Sequence, residues 1–360
     1  MLIQELFILK EVINKEYGSD FHLNSDTKWN LEQNKNSVFN DEDFSFFFSG
    51  RSVLYAILDQ GILEHGWEQV YFPSFYCHEV VEFIQKLDIK VNYYNYNPFL
   101  DSEDFDLDVK DSKLNVIINV CFFGLKKISL DKFKNAVVLE DLTHSILDFK
   151  QSNAAFCFGS VRKELPVPSG GFCYSPKKYA LPKGQNDSKS NSISIEKQSA
   201  MLLKSQYIAG VSMNKEIYRA IFKSTEAQFA ESFSKAKIEK SSKKILLNLD
   251  VISIIQTKKE NIKLAFSMFK AQKYCQINFN SNSTGSGLLL YLKLNKDKIN
   301  LQNYLVSNSI YPATLWPNQK TERDKEVENK SLFIHLDYRY SSEDVLFIID
   351  KINNYFISFF

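Results

Sequence analysis

The chain has 360 residues, of which 44% are apolar and 24% charged, and a formal net charge of +1. That length allows two domains with a substantial core, and the near-zero charge supplies no field for nucleic acid or an acidic membrane surface. No run approaches the ~20 apolar residues of a membrane span, and Cys77, Cys121, Cys157, Cys173 and Cys275 have neither CxxC nor zinc spacing, which points to reduced thiols in a cytoplasmic protein.

Residues 1–17 have the pattern of an amphipathic helix; with Glu5 and no basic start they do not read as a signal peptide. Residues 18–45 are polar and read as an irregular arm. From 46 to 175 short apolar runs alternate with helical ones: a helix opened by Ser49-Gly50-Arg51-Ser52, a strand Gln69–Phe72, a helix Glu79–Lys86, strands Lys90–Tyr94, Asn115–Val120, Val137–Leu139 and Ala154–Phe158, and a short run after Gly170-Gly171. This alternation predicts a parallel α/β sheet. Residues 183–196 read as a polar surface loop and 197–234 as helical. The run Lys235–Lys244 reads as a solvated helix face. Residues 241–272 read as one long helix with a core stripe of Ile245, Leu249, Ile252 and Ile255. Strands Leu288–Leu294 and Leu332–His335 and a helix Glu343–Phe359 close the chain.

Three places carry chemistry. Ser160-Val161-Arg162-Lys163 follows an apolar strand and precedes a proline-broken loop and Gly170-Gly171. A lysine in a partly desolvated pocket has a lowered pKa and forms a Schiff base with an aldehyde cofactor; a solvated loop lysine is the other reading. Asp141 ends a strand that reads as buried on both faces, where ligands of open parallel sheets bind. It is placed either to pair with a protonated ring nitrogen or to cap the next helix. Gly50 and Arg51 open a helix whose amides form either an anion site or an ordinary cap led by Ser49.

In this order these motifs resemble the DegT/DnrJ/EryC1 sugar aminotransferases, which are pyridoxal-phosphate enzymes of fold type I. Val70-Tyr71-Phe72-Pro73 with its aromatic loop, the strand ending at Phe123-Gly124, Glu140-Asp141-Leu142-Thr143-His144, Ile310-Tyr311-Pro312 and the segment Leu336–Val345 extend the match from about residue 40 to the C-terminus. The resemblance implies a large domain, 1–240, with a mostly parallel sheet sandwiched by helices and an N-terminal arm, and a smaller α/β domain, 241–360. It implies pyridoxal 5'-phosphate as cofactor, with Lys163 as Schiff-base lysine and proton shuttle, Asp141 on the pyridinium nitrogen and His144 near the phenolic oxygen. Ser160 and the amides of Gly50 and Arg51 fall on the phosphate, and Cys77 falls on the ring-stacking position. The activity implied is transfer of an amino group from an amino acid to a keto sugar, nucleotide-linked, by a cytoplasmic homodimer with shared active sites and no nucleic-acid or membrane partner. Another fold-type-I reaction and a non-catalytic homologue are the alternatives.

The chain also departs from that pattern. Cysteine at position 77 offers no flat π surface, so Tyr76 or His78 is an alternative cover for the ring. The usual serine five residues before the lysine is Phe158 here. The segment expected to reach the partner subunit corresponds to Ile238–Lys243, with Lys240 or Ser242 as its phosphate ligand. Arg162 and Arg339 are the candidates for binding substrate negative charge.

Overall fold

The computed structural model describes residues 15–359 apart from 19, 24–25, 33–34, 36, 100–107, 126–127, 131–132, 231–233, 279–284 and 286. The predicted helix over 1–17 lies mostly outside the described residues. Its end is instead a strand, β1 (Tyr17–Gly18), paired in parallel with Ile310–Tyr311.

The large sheet holds β2 (Phe44–Phe47), β3 (Gln69–Pro73), β4 (Lys90–Tyr94), β5 (Asn115–Val120), β6 (Val137–Asp141), β7 (Phe156–Ser160) and β8 (Gly171–Tyr174). Their order is β2-β8-β7-β6-β5-β3-β4. β8 runs antiparallel to both neighbours, and every other pair is parallel. Every residue of the interior strand β5 is buried, which is why its Val116-Ile117-Ile118 reads as an apolar run rather than an alternating pattern.

Helix α1 (Gly50–His65) packs on β7 and β8. Ser49 caps it by accepting the Ser52 N–H at 3.2 Å, and Gly66 ends it in the left-handed region. α2 (His78–Ile84) follows β3. α3 (Ser188–Ile208) and α4 (Glu216–Phe229) pack against each other as a hairpin. The surface loop expected over 183–196 is therefore largely the first turns of α3. Its serines misled because their hydroxyls bond inward: Ser194 Oγ reaches Ser190 O at 2.9 Å and Ser169 Oγ at 2.8 Å, and Asp187 caps the helix.

The predicted helix over 241–272 is two helices, α5 (Lys240–Asn248) and α6 (Val251–Met268). Leu249 is extended, and Asp250 caps α6 through the Ser253 N–H at 3.1 Å. The break shifts the helical phase, so Ile252 is 56% exposed while Val251, Ile254 and Ile255 are buried. The lysine run before it is not a solvated helix face throughout. Ala236 and Ile238 are buried along β2, Lys235 pairs with Asp59 and Lys243 with Asp41.

The C-terminal third runs β9 (Cys275–Asn278), β10 (Gly287–Leu292), α7 (Asn295–Ser307), β11 (Ile310–Tyr311), α8 (Glu322–Lys330), β12 (Ser331–His335) and α9 (Ser342–Phe359). β12, β10 and β9 form an antiparallel sheet. α6 spans two cores: Ile254 and Ile255 pack with Phe44, Phe46 and Phe172, whereas Ile262 and Ala265 pack with Leu288, Leu290 and Ile348. The arm is fastened along its length, with Leu23 N–H on Met201 O at 3.2 Å and Leu31 N–H on Asn248 O at 2.9 Å. Asp250→Ala removes the α6 cap and is expected to cost about 1 kcal/mol, read from urea denaturation.

Candidate active site

Parallel strands deliver their carboxyl ends to one edge, and the chemistry-bearing residues gather there. β6 ends at Asp141 and β7 at Ser160, and the 3-10 turn Val161–Lys163 continues from β7. Glycines bring the backbones together. A Cβ on Gly171 would lie 2.4 Å from Ser49 O and 2.7 Å from Gly50 N, one on Gly159 would lie 2.9 Å from Thr143 N, and one on Gly50 would lie 3.1 Å from Ser160 N. The first turn of α1 thus abuts the end of β7 with no side chain between them. Ser160 N–H donates to Thr143 Oγ1 at 3.1 Å. Its hydroxyl is buried beside that helix start and has no hydrogen-bond partner among the described residues, the arrangement that receives an anion such as phosphate.

Asp141 is buried. Its Oδ1 accepts the Thr143 N–H at 2.9 Å, and its Oδ2 accepts the Tyr76 hydroxyl. The His144 ring packs against Phe123 at 5.4 Å and Trp316 at 5.7 Å, each inclined by 20°, and those two rings touch each other at 5.8 Å; burial holds the His144 pKa below the usual imidazole value. Cys77 precedes α2, and burial raises its thiol pKa. The Arg51 side chain turns away from the helix start. It donates to Phe229 O at 3.2 Å and Ala230 O at 3.0 Å, and meets Glu79 at 3.1 Å, so only its main chain belongs to the anion seat. Arg339 is consumed by Asp337 at 2.9 and 2.7 Å and by the arm carbonyls of Gly18 and Asp20. Ser242 is fully buried, with its hydroxyl bonded to that of Ser169 at 3.1 Å.

No family-wide sequence profile matches the chain, and no curated protein sequence matches it. Solved structures do. The Helicobacter pylori aminotransferase PseC, involved in the biosynthesis of pseudoaminic acid, superposes with a TM-score of 0.60 at 13% identity, covering 96% of this chain and 100% of that one. The sugar aminotransferase CalS13 from Micromonospora echinospora gives 0.55 at 12% identity, covering 86% and 87%. A DegT DnrJ EryC1 StrS aminotransferase from Brucella abortus gives 0.52 at 11%, covering 87% and 85%. The fold is that of the type I pyridoxal-phosphate transferases.

Within this type I fold, Lys163 sits in a cluster of charges that the sequence did not announce. Glu226 on α4 accepts from Arg162 NH1 at 2.6 Å and from Lys197 on α3, and lies 3.8 Å from Lys163 Nζ. Burial pulls the Glu226 pKa up, but the Arg162, Lys163 and Lys197 charges outweigh it and hold the carboxyl well below its usual range. Lys163 is lowered to about 8, first by Arg162 and then by desolvation. Its side chain is 49% exposed, so neighbouring charge dominates over burial. The Arg162 guanidinium also lies over the Phe229 ring, 4.2 Å from its centroid. The one sequence signal for this cluster was a lysine on the apolar face of α3: Lys197 follows Ile193 by one turn and precedes Met201 by another.

Directly after Lys163, Glu164 is buried and paired with Lys258 of α6, whose Nζ donates to Glu164 O at 2.7 Å and Oε2 at 2.8 Å. This pair ties the lysine turn to the helix that spans both cores. Among the described residues no group of His, Cys, Asp and Glu forms a metal site, and no helix is long and apolar enough to cross a membrane. Lys258→Met strands the Glu164 charge in the interior and is expected to cost about 3–5 kcal/mol of stability, measurable as a lowered urea midpoint.

Proposed function

We propose that this chain is a pyridoxal-phosphate-dependent aminotransferase that moves an amino group from an amino acid to a keto sugar, nucleotide-linked. The observation that carries the reading is Lys163: an amine lowered to about 8, on the same sheet edge as a buried aspartate and an unpartnered serine hydroxyl. The similarity to PseC, involved in the biosynthesis of pseudoaminic acid, and to the sugar aminotransferase CalS13 supports a sugar as acceptor.

The residues present fit the cofactor. Ser160 Oγ and the first amides of α1, which Gly50 leaves uncovered, would hold its phosphate, Asp141 would face its ring nitrogen, and Lys163 would meet its aldehyde. When bound, the group supplies an electron sink for the substrate carbon. The protein does the rest. Arg162 and Lys197 disfavour a third positive charge on Lys163 Nζ, so a useful fraction of that amine is neutral near neutral pH and can both take and return a proton. Glu226 keeps the two cations in place. Asp141 presents a fixed negative charge, with Thr143 N–H orienting one of its oxygens. His144, below its usual pKa, is a neutral ring at pH 7 and contributes hydrogen bonding and stacking rather than charge. The reading includes a homodimer, in which a second subunit would cover the exposed side of Lys163. It also places the enzyme in the cytoplasm, in keeping with five free thiols.

Two measurements test this. Borohydride treatment of protein incubated with pyridoxal phosphate is expected to fix the cofactor to Lys163, located by peptide mass spectrometry; a label on another lysine, or none, overturns the assignment. Arg162→Gln removes the largest influence that lowers Lys163, so the amine should titrate closer to its ordinary value. A wild-type amine is deprotonated as pH rises through about 8; in the variant the same rise in trapping yield should come at higher pH.

A further inference from the structure

Tyr76 follows the end of β3, and the family resemblance made it only an alternative cover for the cofactor ring. It is 1% exposed, and its hydroxyl donates to Asp141 Oδ2 while Thr143 N–H holds Oδ1. Its placement is built from both sides. Its main-chain oxygen accepts Gln319 Nε2 at 2.8 Å, and the same amide donates to Trp316 O at 3.1 Å. Its ring lies 5.2 Å from that of Trp316 and 5.4 Å from that of Phe72. Burial and the adjacent carboxylate push the phenol far above its usual pKa, so it keeps its proton and acts as a donor.

We propose that Tyr76 is a positioning residue that shares Asp141 with the ring nitrogen of the bound cofactor, holding the carboxylate in place and weakening its bond to that nitrogen. The inference rests on the function proposed above. A carboxylate offers about four lone-pair sites, and Tyr76 and Thr143 fill two, so a further N–H donor can be admitted without displacing the phenol. Each donor draws charge from the same group, so the phenol reduces what Asp141 can offer a protonated ring. In the cofactor-free protein the phenol has the opposite value: it keeps a buried carboxylate oxygen satisfied. Without it that oxygen lacks a donor, and the cofactor's N–H restores one.

The test is Tyr76→Phe, which keeps ring and volume, compared with wild type as apoprotein titrated with pyridoxal phosphate. The variant is expected to bind the cofactor roughly tenfold more tightly. The resonance of bound nitrogen-15-labelled cofactor should move toward the protonated-ring position. Placing 2,3-difluorotyrosine at position 76, a stronger donor on the same skeleton, should move both readings the other way, and it serves equally if the phenylalanine variant fails to fold. A phenol that only fills space predicts equal or weaker binding and an unmoved resonance, and either result overturns the proposal. If wild type binds cofactor on Lys163 but neither substitution moves these readings, only the role of Tyr76 is lost. If wild type binds no pyridoxal phosphate at all, the proposed function fails and this inference fails with it.

Discussion

The site depends on one steric condition: backbone must touch backbone where α1 begins and β7 and β8 meet. Gly171 lies under Ser49 O and Gly50 N, Gly159 under Thr143 N, and Gly50 against Ser160. A methyl group on Gly171 would push the helix start off the strand end, and one on Gly159 would press on the Thr143 main chain. The unpartnered Ser160 hydroxyl, the Thr143 hydroxyl on Ser160 N–H and the Asp141 turn exist as one unit because of that contact.

Charge is arranged around the same edge in two different ways. Glu164 and Lys258 form a closed buried pair whose value is geometric, fastening the lysine turn to α6. The Glu226 group is open. Three cations share one carboxylate, with Asp20 of the arm at 4.0 Å from Lys197, and the surplus of positive charge falls on the most exposed cation, Lys163. The first pair gives position, and the second adjusts proton affinity.

The C-terminal third contributes a wall. The loop after β11 carries Trp316 against Phe75, Tyr76, Phe122, Phe123 and His144, and Gln319 bonds it to the Tyr76 main chain. The aromatic richness of the sequence is spent in part here, in rings from the loops after β3, β5, β6 and β11.

Local pattern was enough for the large sheet. Lys90–Tyr94 and Asn115–Val120 fall on the predicted bounds; the second carries the apolar run Val116-Ile117-Ile118 of a strand buried on both faces, and the first is an edge strand with Lys90 and Tyr93 exposed. The order of Gly50, Asp141, Ser160 and Lys163 along the chain also marked the strand-end edge, since each follows or opens an element whose direction the alternation fixes. Sequence failed where polar residues are satisfied internally: the serines of α3 read as loop, and Asp250 hid a helix break that only its capping bond reveals. Above all it could not assign the charges around Lys163, the Tyr76 hydroxyl on Asp141, or Trp316 over His144. Apart from Arg162, which adjoins Lys163, those pairings join residues tens to hundreds of positions apart, and Coulomb and hydrogen-bond energies depend on distance in space, which no local pattern encodes.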